Sequence, residues 1–335
     1  MQFDNGMSLD GLLGARLTQT ERTLTGTGLV RPAPTPENPD PAAALTPVTT
    51  DTSDTDLLPN FSARLRITPD LQVRFTAART MSRPAFGDLN PGLTYNVPIN
   101  ANIRPNGSGG NPGLKPQKSD AYDATIEYYF GRSSYVAAAV YYRDIKDRTA
   151  VSVEPEVIDG IEYNITRPLN IGSAELQGVE LSAQFFLDAL FDSVPDVLGG
   201  FGALANFTLA DSEIKSGDLQ GEPLLGVSEY SYNVGLLYEK YGVTGRLVYT
   251  YRSEYDEFLI GDALPIGSGS VFNGVRPNGR LDFSVGYDLT PSVTVSIDGT
   301  NLTRAKYYSY FDTEAFPHDV RDDERTFGVS LRARF

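Results

Sequence analysis

The sequence predicts an all-β protein: a transmembrane, antiparallel, up-and-down β-barrel built from about twelve strands. Apolar and polar residues alternate with a period of two along most of the chain, as in strands whose faces meet different surroundings. Short turns and long loops alternate between these strands, an asymmetry that suits an outer-membrane barrel and not a soluble sandwich. The composition agrees, since 335 residues hold 32 Gly, 22 Pro and 11% aromatics, which suits many strands joined by turns.

The first strand is expected near 8–24 and the second near 57–68, where Phe61, Ala63, Leu65 and Ile67 oppose Ser62, Arg64 and Arg66. Thr68-Pro69-Asp70 is a turn by composition, and a third strand over 71–83 sets Leu71, Val73, Phe75 and Ala77 against Gln72, Arg74 and Thr76. The fourth, 119–131, reads Tyr122, Ala124, Ile126, Tyr128 and Phe130 on one parity and Asp123, Thr125, Glu127 and Tyr129 on the other. Beyond the turn at Gly131, the fifth (134–152) carries Val136, Ala138, Val140 and Tyr142 opposite Tyr135, Ala137, Ala139 and Tyr141. Further strands are expected near 162–187, 200–215, 227–240 and 243–260. The contrast is sharpest over 278–290, where Leu281, Phe283, Val285, Tyr287 and Leu289 alternate with Asp282, Ser284, Gly286 and Asp288. After Thr290-Pro291-Ser292 comes a strand over 292–311, and the last runs over 323–335. There Phe327, Val329, Leu331, Ala333 and Phe335 share one face, and the chain stops on the aromatic, which resembles the signal read by the outer-membrane barrel-assembly machinery.

The short turns fall at 68–70, 131–134, 240–242 and 290–292, with 188–199 a longer segment in the same set. Long loops are expected near 25–56 and 84–118, so that 1–335 forms one barrel domain with its loops on the extracellular side. Strands of about 15 residues exceed the 9–11 that cross a bilayer and would project beyond it. Tyr122, Tyr128, Tyr142, Tyr232, Tyr238, Tyr249 and Tyr287 would supply the aromatic girdles.

Other classes fall on composition. There is no Cys and one His, so disulfides, zinc knuckles, thiol nucleophiles and multi-His sites lack material, and neither cofactor nor metal is expected. A net charge of −15 argues against nucleic acid, whose phosphates need a basic footprint. No stretch reaches the roughly 18 apolar residues of a membrane helix, while a mean hydropathy of −0.25 is compatible with a barrel. No basic segment followed by an apolar core opens the chain, so no secretory signal is read there.

Asn111-Pro112-Gly113-Leu114-Lys115-Pro116-Gln117-Lys118-Ser119, leading into the strand at Tyr122, resembles the N-P-x-L-K-P-E-x-S segment of TonB-dependent receptors. Leu58-Pro59-Asn60-Phe61, Arg79-Thr80-Met81-Ser82-Arg83-Pro84, the run from Asn170 to Leu181 and Asn301-Leu302-Thr303 resemble that family in the same order. The resemblance covers nearly the whole chain. It implies a 22-stranded barrel in the bacterial outer membrane, occluded by an N-terminal plug, for TonB-energised uptake of an iron-siderophore, vitamin B12 or an oligosaccharide. Neither plug nor TonB box is recognised here, so the twelve strands would correspond to the C-terminal half of that barrel, with TonB reached only through the missing segments. The alternatives are a self-closed smaller barrel or porin without TonB coupling, a remnant that does not assemble, and a secreted carbohydrate-binding β-sandwich.

Candidate ligand residues stand where strands meet the long loops: Arg79, Arg83, Arg143, Arg252, Glu254, Tyr255 and Asp256, all expected in the upper lumen. No catalytic residue is assigned, and an outer-membrane enzyme would need a His constellation that one loop His, His318, does not provide. Asp51, Asp54 and Asp56 miss the EF-hand spacing and read as a solvated acidic loop. Gly107-Ser108-Gly109-Gly110 lacks the following Lys-Ser/Thr of a phosphate cradle. The six prolines between Pro32 and Pro47 read as a mobile extracellular loop. Asn164 and Asn206 head glycosylation patterns that carry no meaning in a bacterial protein.

Overall fold

The computed structural model describes residues 1–3, 6–98, 105–131, 133–217, 219–260 and 271–334. Its first strands are β1 (Ser8–Arg31), β2 (Ala44–Arg66), β3 (Leu71–Ser82), β4 (Leu93–Asn96), β5 (Asn106–Gly109) and β6 (Gln117–Phe130). Next come β7 (Ser134–Ile158), β8 (Ile161–Phe186), β9 (Phe201–Ile214), β10 (Tyr230–Lys240), β11 (Val243–Arg252) and β12 (Tyr255–Ile260). The last are β13 (Val271–Val275), β14 (Asn278–Thr290), β15 (Val293–Thr300), β16 (Tyr307–Phe311), β17 (Pro317–Arg321) and β18 (Thr326–Ala333).

Twelve of these, β1, β2, β3, β6, β7, β8, β9, β10, β11, β14, β15 and β18, pair antiparallel in chain order as one curved wall. The register explains why the wall has two unlike faces. Leu65, Val73, Ile126, Ala138 and Leu181 lie opposite one another across successive strands. The row continues through the pairs Leu181 with Phe207, Phe207 with Tyr232, and on the far side Leu236 with Leu247 and Leu247 with Phe283. It ends with Val285 opposite Ile297 and Ile297 opposite Val329. One unbroken apolar face results. All seven girdle tyrosines fall on it, joined by Tyr230 and Tyr251, and the rings run in a chain from Tyr230 to Tyr251 (5.9 Å), Tyr251 to Tyr232 (5.0 Å) and Tyr232 to Tyr249 (6.2 Å).

The opposite face is polar and cross-linked. Glu127 accepts from Gln72 (2.6 Å), Thr125 (3.1 Å) and Tyr129 (2.7 Å) and pairs with Arg74 at 3.1 Å. Arg64 reaches Asp10 at 2.8 Å. A sheet with an oil-facing side and a hydrogen-bonded side is the arrangement that a bilayer demands of strands.

Among the described residues β18 pairs only with β15, and no pairing joins it to β1. The smaller barrel closed on itself, which would need that seam, is not the observed arrangement.

Three expectations are corrected. Residues 25–31 and 44–56, expected as loop, continue β1 and β2 as a tall hairpin. The segment is rich in Thr, whose branched Cβ favours extended backbone even in water. Within it Asp56 is 3% exposed and its Oδ1 is 2.7 Å from Lys118 Nζ, so it is no solvated loop residue. The strands expected over 243–260 and 292–311 each break in two, at Ser253 and at Asn301. Beyond the breaks β12, β13, β16 and β17 form a separate four-stranded sheet over the long-loop end.

β7 and β8 contain a further device. From Ile145 to Arg148 β7 advances three residues while β8 advances two, from Ala174 to Gly172. From Arg148 to Thr149 β7 advances one while β8 advances two, to Asn170. Each strand thus carries one extra residue, and Asp147 adopts φ 56° to accommodate it. Pairing is restored but both faces exchange. Below the bulges odd residues of β8 such as Val179 and Leu181 point to the apolar side. Above them Tyr163 and Ile165 are inward and 1% and 0% exposed, while Val151 and Val157 of β7 are 70% and 72% exposed.

Candidate functional site

The candidate site lies at the long-loop end of the β9–β15 half of the wall. β11 ends at Arg252, and Ser253, 5% exposed, turns the chain toward β12. Its Oγ accepts from the Tyr230 amide at 3.1 Å, its amide donates to the Tyr230 carbonyl at 2.9 Å, and its carbonyl accepts from Ser228 Oγ at 3.2 Å. This clamp directs Glu254, Tyr255 and Asp256 into a cavity of about 420 Å³, whose other walls include Asp211, Ser212, Glu229 and Tyr310. Three separate loop bases therefore build one pocket. Below it, on the polar face, a groove of about 890 Å³ runs along the wall past Asn206, Asn233, Arg246, Asp282, Ser284 and Asp298.

The pocket carries four carboxylates, Asp211, Glu229, Glu254 and Asp256. Asp211 accepts from Gln177 at 3.0 Å. Burial, and then the charges of Glu222 and Glu254, raise the Asp256 carboxyl above the ordinary aspartate range. A raised native pKa means that ionisation strains the folded loops. The stability is complete below the ordinary value of about 3.9 and is lost as pH rises through the raised one. Asp256→Asn is thus expected to slow amide exchange in β13 and β16 at neutral pH and to change nothing at acid pH, as hydrogen-exchange mass spectrometry would show.

The remaining sequence-predicted residues are dispersed. Arg252 stands beside the pocket with its guanidinium 3.6 Å from the Tyr255 ring centroid, donating to Ser228 Oγ (2.6 Å) and to the Gly226 carbonyl. It braces the 226–228 segment. Arg143 is on the polar face, donating to Asp123 Oδ1 at 2.6 Å and to the carbonyls of Tyr122 and Tyr142 at 3.1 Å. Arg83 donates to Thr20 Oγ1 at 2.9 Å, on the β1 side of the wall. Arg79 is corrected: it shares the parity of Leu71, Val73, Phe75 and Ala77, and its fork grips Asp120 (2.6 and 2.8 Å) beyond Tyr122 on the apolar face, not in the lumen. Its position in chain order marked the right height, but the period of two marked the opposite side. Asp211, Glu229 and Tyr310 were not picked out. Each is one polar residue at a loop base, with no local pattern to mark it.

Phe327, Val329, Leu331 and Ala333 align on the apolar face of β18, with the first three 64%, 76% and 69% exposed; Phe335 lies outside the described residues. His318 is exposed on β17, its ring 4.4 Å from that of Phe311. Gly107 to Gly109 form part of β5, so no phosphate cradle exists there.

Residues 1–302 match the family model described as TonB dependent receptor-like, beta-barrel. The chain belongs to the TonB-dependent receptor family. Its place is the bacterial outer membrane. The family is one of transport receptors. An iron-regulated outer membrane virulence protein of Vibrio cholerae is 26% identical over 238 residues, 68% of this chain and 32% of that protein. Among solved TonB-dependent receptor-like folds, the ferric yersiniabactin uptake receptor FyuA of Yersinia pestis shares 19% identity with a TM-score of 0.61 over 98% of this chain and 43% of that one. The siderophore receptor PirA of Acinetobacter baumannii shares 15% with a TM-score of 0.62, over 96% and 46%. The copper transporter OprC shares 18% with a TM-score of 0.64, over 98% and 46%. This TonB-dependent receptor barrel thus spans about a third of the curated relative's length and under half of those structures.

Proposed function

We propose that the chain forms the C-terminal half of a receptor barrel that takes up a scarce small-molecule nutrient, the metal-bearing class first, with energy from TonB delivered through an N-terminal plug. The acidic pocket carries this reading. A cluster of carboxylates at the loop bases and a hydrogen-bonding groove along the polar face suit capture and passage of a polar ligand. Relatives named for ferric yersiniabactin uptake, siderophore reception and copper transport support the metal-bearing class over vitamin B12 or an oligosaccharide. Further strands pairing with β1 and β18 would close the wall, because each unpaired backbone group in hydrocarbon costs several kcal/mol, roughly. Assembly through the β18 signal and the absence of catalysis belong to the same reading.

The test is binding of a panel of ferric chelates, copper ions, vitamin B12 and oligosaccharides to the receptor in detergent, followed by tyrosine fluorescence. Glu254→Gln is expected to weaken the bound member about tenfold or more, the value of one hydrogen bond to a charged group. Binding of every member unchanged by Glu254→Gln and by Tyr255→Ala would place the ligand elsewhere.

A further inference from the structure

The described parts of the segment between β3 and β6 are tied into the sheet by two short strands. β4 pairs in parallel with the top of β1, Leu29 to Arg31 against Thr94 to Asn96. β5 pairs in parallel with the top of β8, Asn106 to Ser108 against Asn164 to Thr166, and β4 and β5 pair with each other. The hydrogen-bonded order β1-β2-β3-β6-β7-β8-β5-β4 therefore returns to β1, a closed circuit of eight strands. Along the wall β1 and β8 are five strand spacings apart, about 24 Å, yet across the strap they are three, about 14 Å. The tall hairpins are drawn together.

The strap lies on the lumen side. Gly26 shares the inward parity of Asp10 and Arg22, and a Cβ there would stand 2.1 Å from Asn90 Oδ1 and 3.0 Å from the Gly92 amide nitrogen. A Cβ at Gly107 would meet Ile165 Cδ1 at 2.5 Å. β3 and β6 end at Ser82 and Gln117, below the strap, so at its height the tops of β1, β2, β7 and β8 stand together with β4 and β5. Leu89, Leu114 and Tyr163, each 1% exposed, and Ile165, 0% exposed, are buried on the strap segment and the upper part of β8, with Tyr95 edge-on to Tyr163 at 5.0 Å. The exchanged faces of β7 and β8 are what turn Tyr163 and Ile165 inward. The strap's end is clipped by side chains of the two family-like segments: Asn111 Nδ2 donates to the Pro168 carbonyl (3.1 Å), and Asn170 exchanges bonds of 2.8 and 3.1 Å with the Lys115 backbone.

We infer that this packed ring is a fixed partition of the extracellular mouth, closed to ligand, so that access is confined to the sector over β9–β18 where the acidic pocket lies. The access route rests on reading that pocket as the ligand's landing place; the closure of the ring does not. It makes the strap a determinant of which ligand shapes can approach, because one wall of the way in does not yield.

The chain has no Cys, so single introduced thiols report cleanly. Ile165→Cys inside the ring and Val227→Cys in the acidic pocket are to be labelled on intact cells with a bulky maleimide. Ile165→Cys is expected to react about 100-fold more slowly or less, since labelling needs a local opening. Gly107→Leu, which forces the strap off Ile165, should remove that protection while Val227→Cys labels as before, which also shows that the variant has folded. Equal labelling of both thiols in the parent receptor would overturn the partition, whatever the ligand panel shows. Protection of Ile165→Cys with ligand bound equally well after Val227→Cys is labelled would retain the partition and displace the access route from the acidic pocket.

Discussion

Leu247→Arg is expected to destabilise the barrel by about 2–4 kcal/mol, the cost of a basic side chain at mid-depth on a lipid-facing strand. Leu247 stands on β11 between Leu236 and Phe283, in the middle of the apolar face. Ser284→Gln, one position along the neighbouring strand but on the polar face, should stay within about 0.5 kcal/mol. Urea unfolding of the receptor in lipid vesicles, with heat-dependent gel mobility as a second readout, separates the two. Equal effects on both faces would mean that this wall does not separate lipid from lumen.

Asn301→Ala is the second large effect. Asn301 is 4% exposed and holds φ 54°, a conformation that costs most L residues about 1–2 kcal/mol. Its Nδ2 donates to the carbonyls of Ala305 (3.1 Å) and Asp323 (2.7 Å), and its Oδ1 accepts from the Ala305 amide (2.8 Å). Its own amide donates to Asp282 Oδ1 at 2.7 Å. Alanine would lose three bonds to the backbone of half-buried Ala305 and exposed Asp323, each worth about 0.5–1.5 kcal/mol, in addition to the φ cost. The extracellular sheet should detach first, read as rapid proteolysis of 301–325 in intact cells. Asn301→Gly loses the same side-chain bonds but is spared the φ cost, so it should fall between alanine and the parent; if glycine matches the parent, the side-chain bonds do not matter.

These two sites also show what was legible beforehand. Around Leu247 the odd residues Val243, Leu247, Tyr249 and Tyr251 are apolar or aromatic and Thr244, Arg246, Thr250 and Arg252 polar, with Val248 the exception, so strand and facing follow from the period of two. Asn301-Leu302-Thr303 reads as a family-like segment, but nothing in the residues around it marks a break in the strand. The bonds that define the break come from Asp323 and Asp282, distant in sequence. The tall β1–β2 hairpin was missed for a different reason: prolines and aspartates around it look like loop, and only its partner strand shows that Pro47 and Asp56 have places in a ladder. The candidate pocket was half legible. Glu254, Tyr255 and Asp256 announced themselves as a polar cluster at a strand end, whereas Asp211, Glu229 and Tyr310 join them only because three loops converge. Arg79 went astray by a single step of parity.

The paired bulges of β7 and β8 bear on how such a barrel tolerates insertion and loss of residues. Deleting one residue from either bulge alone would slide the upper hairpin by a position and set every cross-strand partner wrong. Deleting one from each would leave all partners matched, yet it would rotate Tyr163 and Ile165 outward and Val151 and Val157 inward. Pairing and facing are therefore separately heritable here: a lineage can keep every hydrogen bond of this hairpin and still lose the ring it helps to fill.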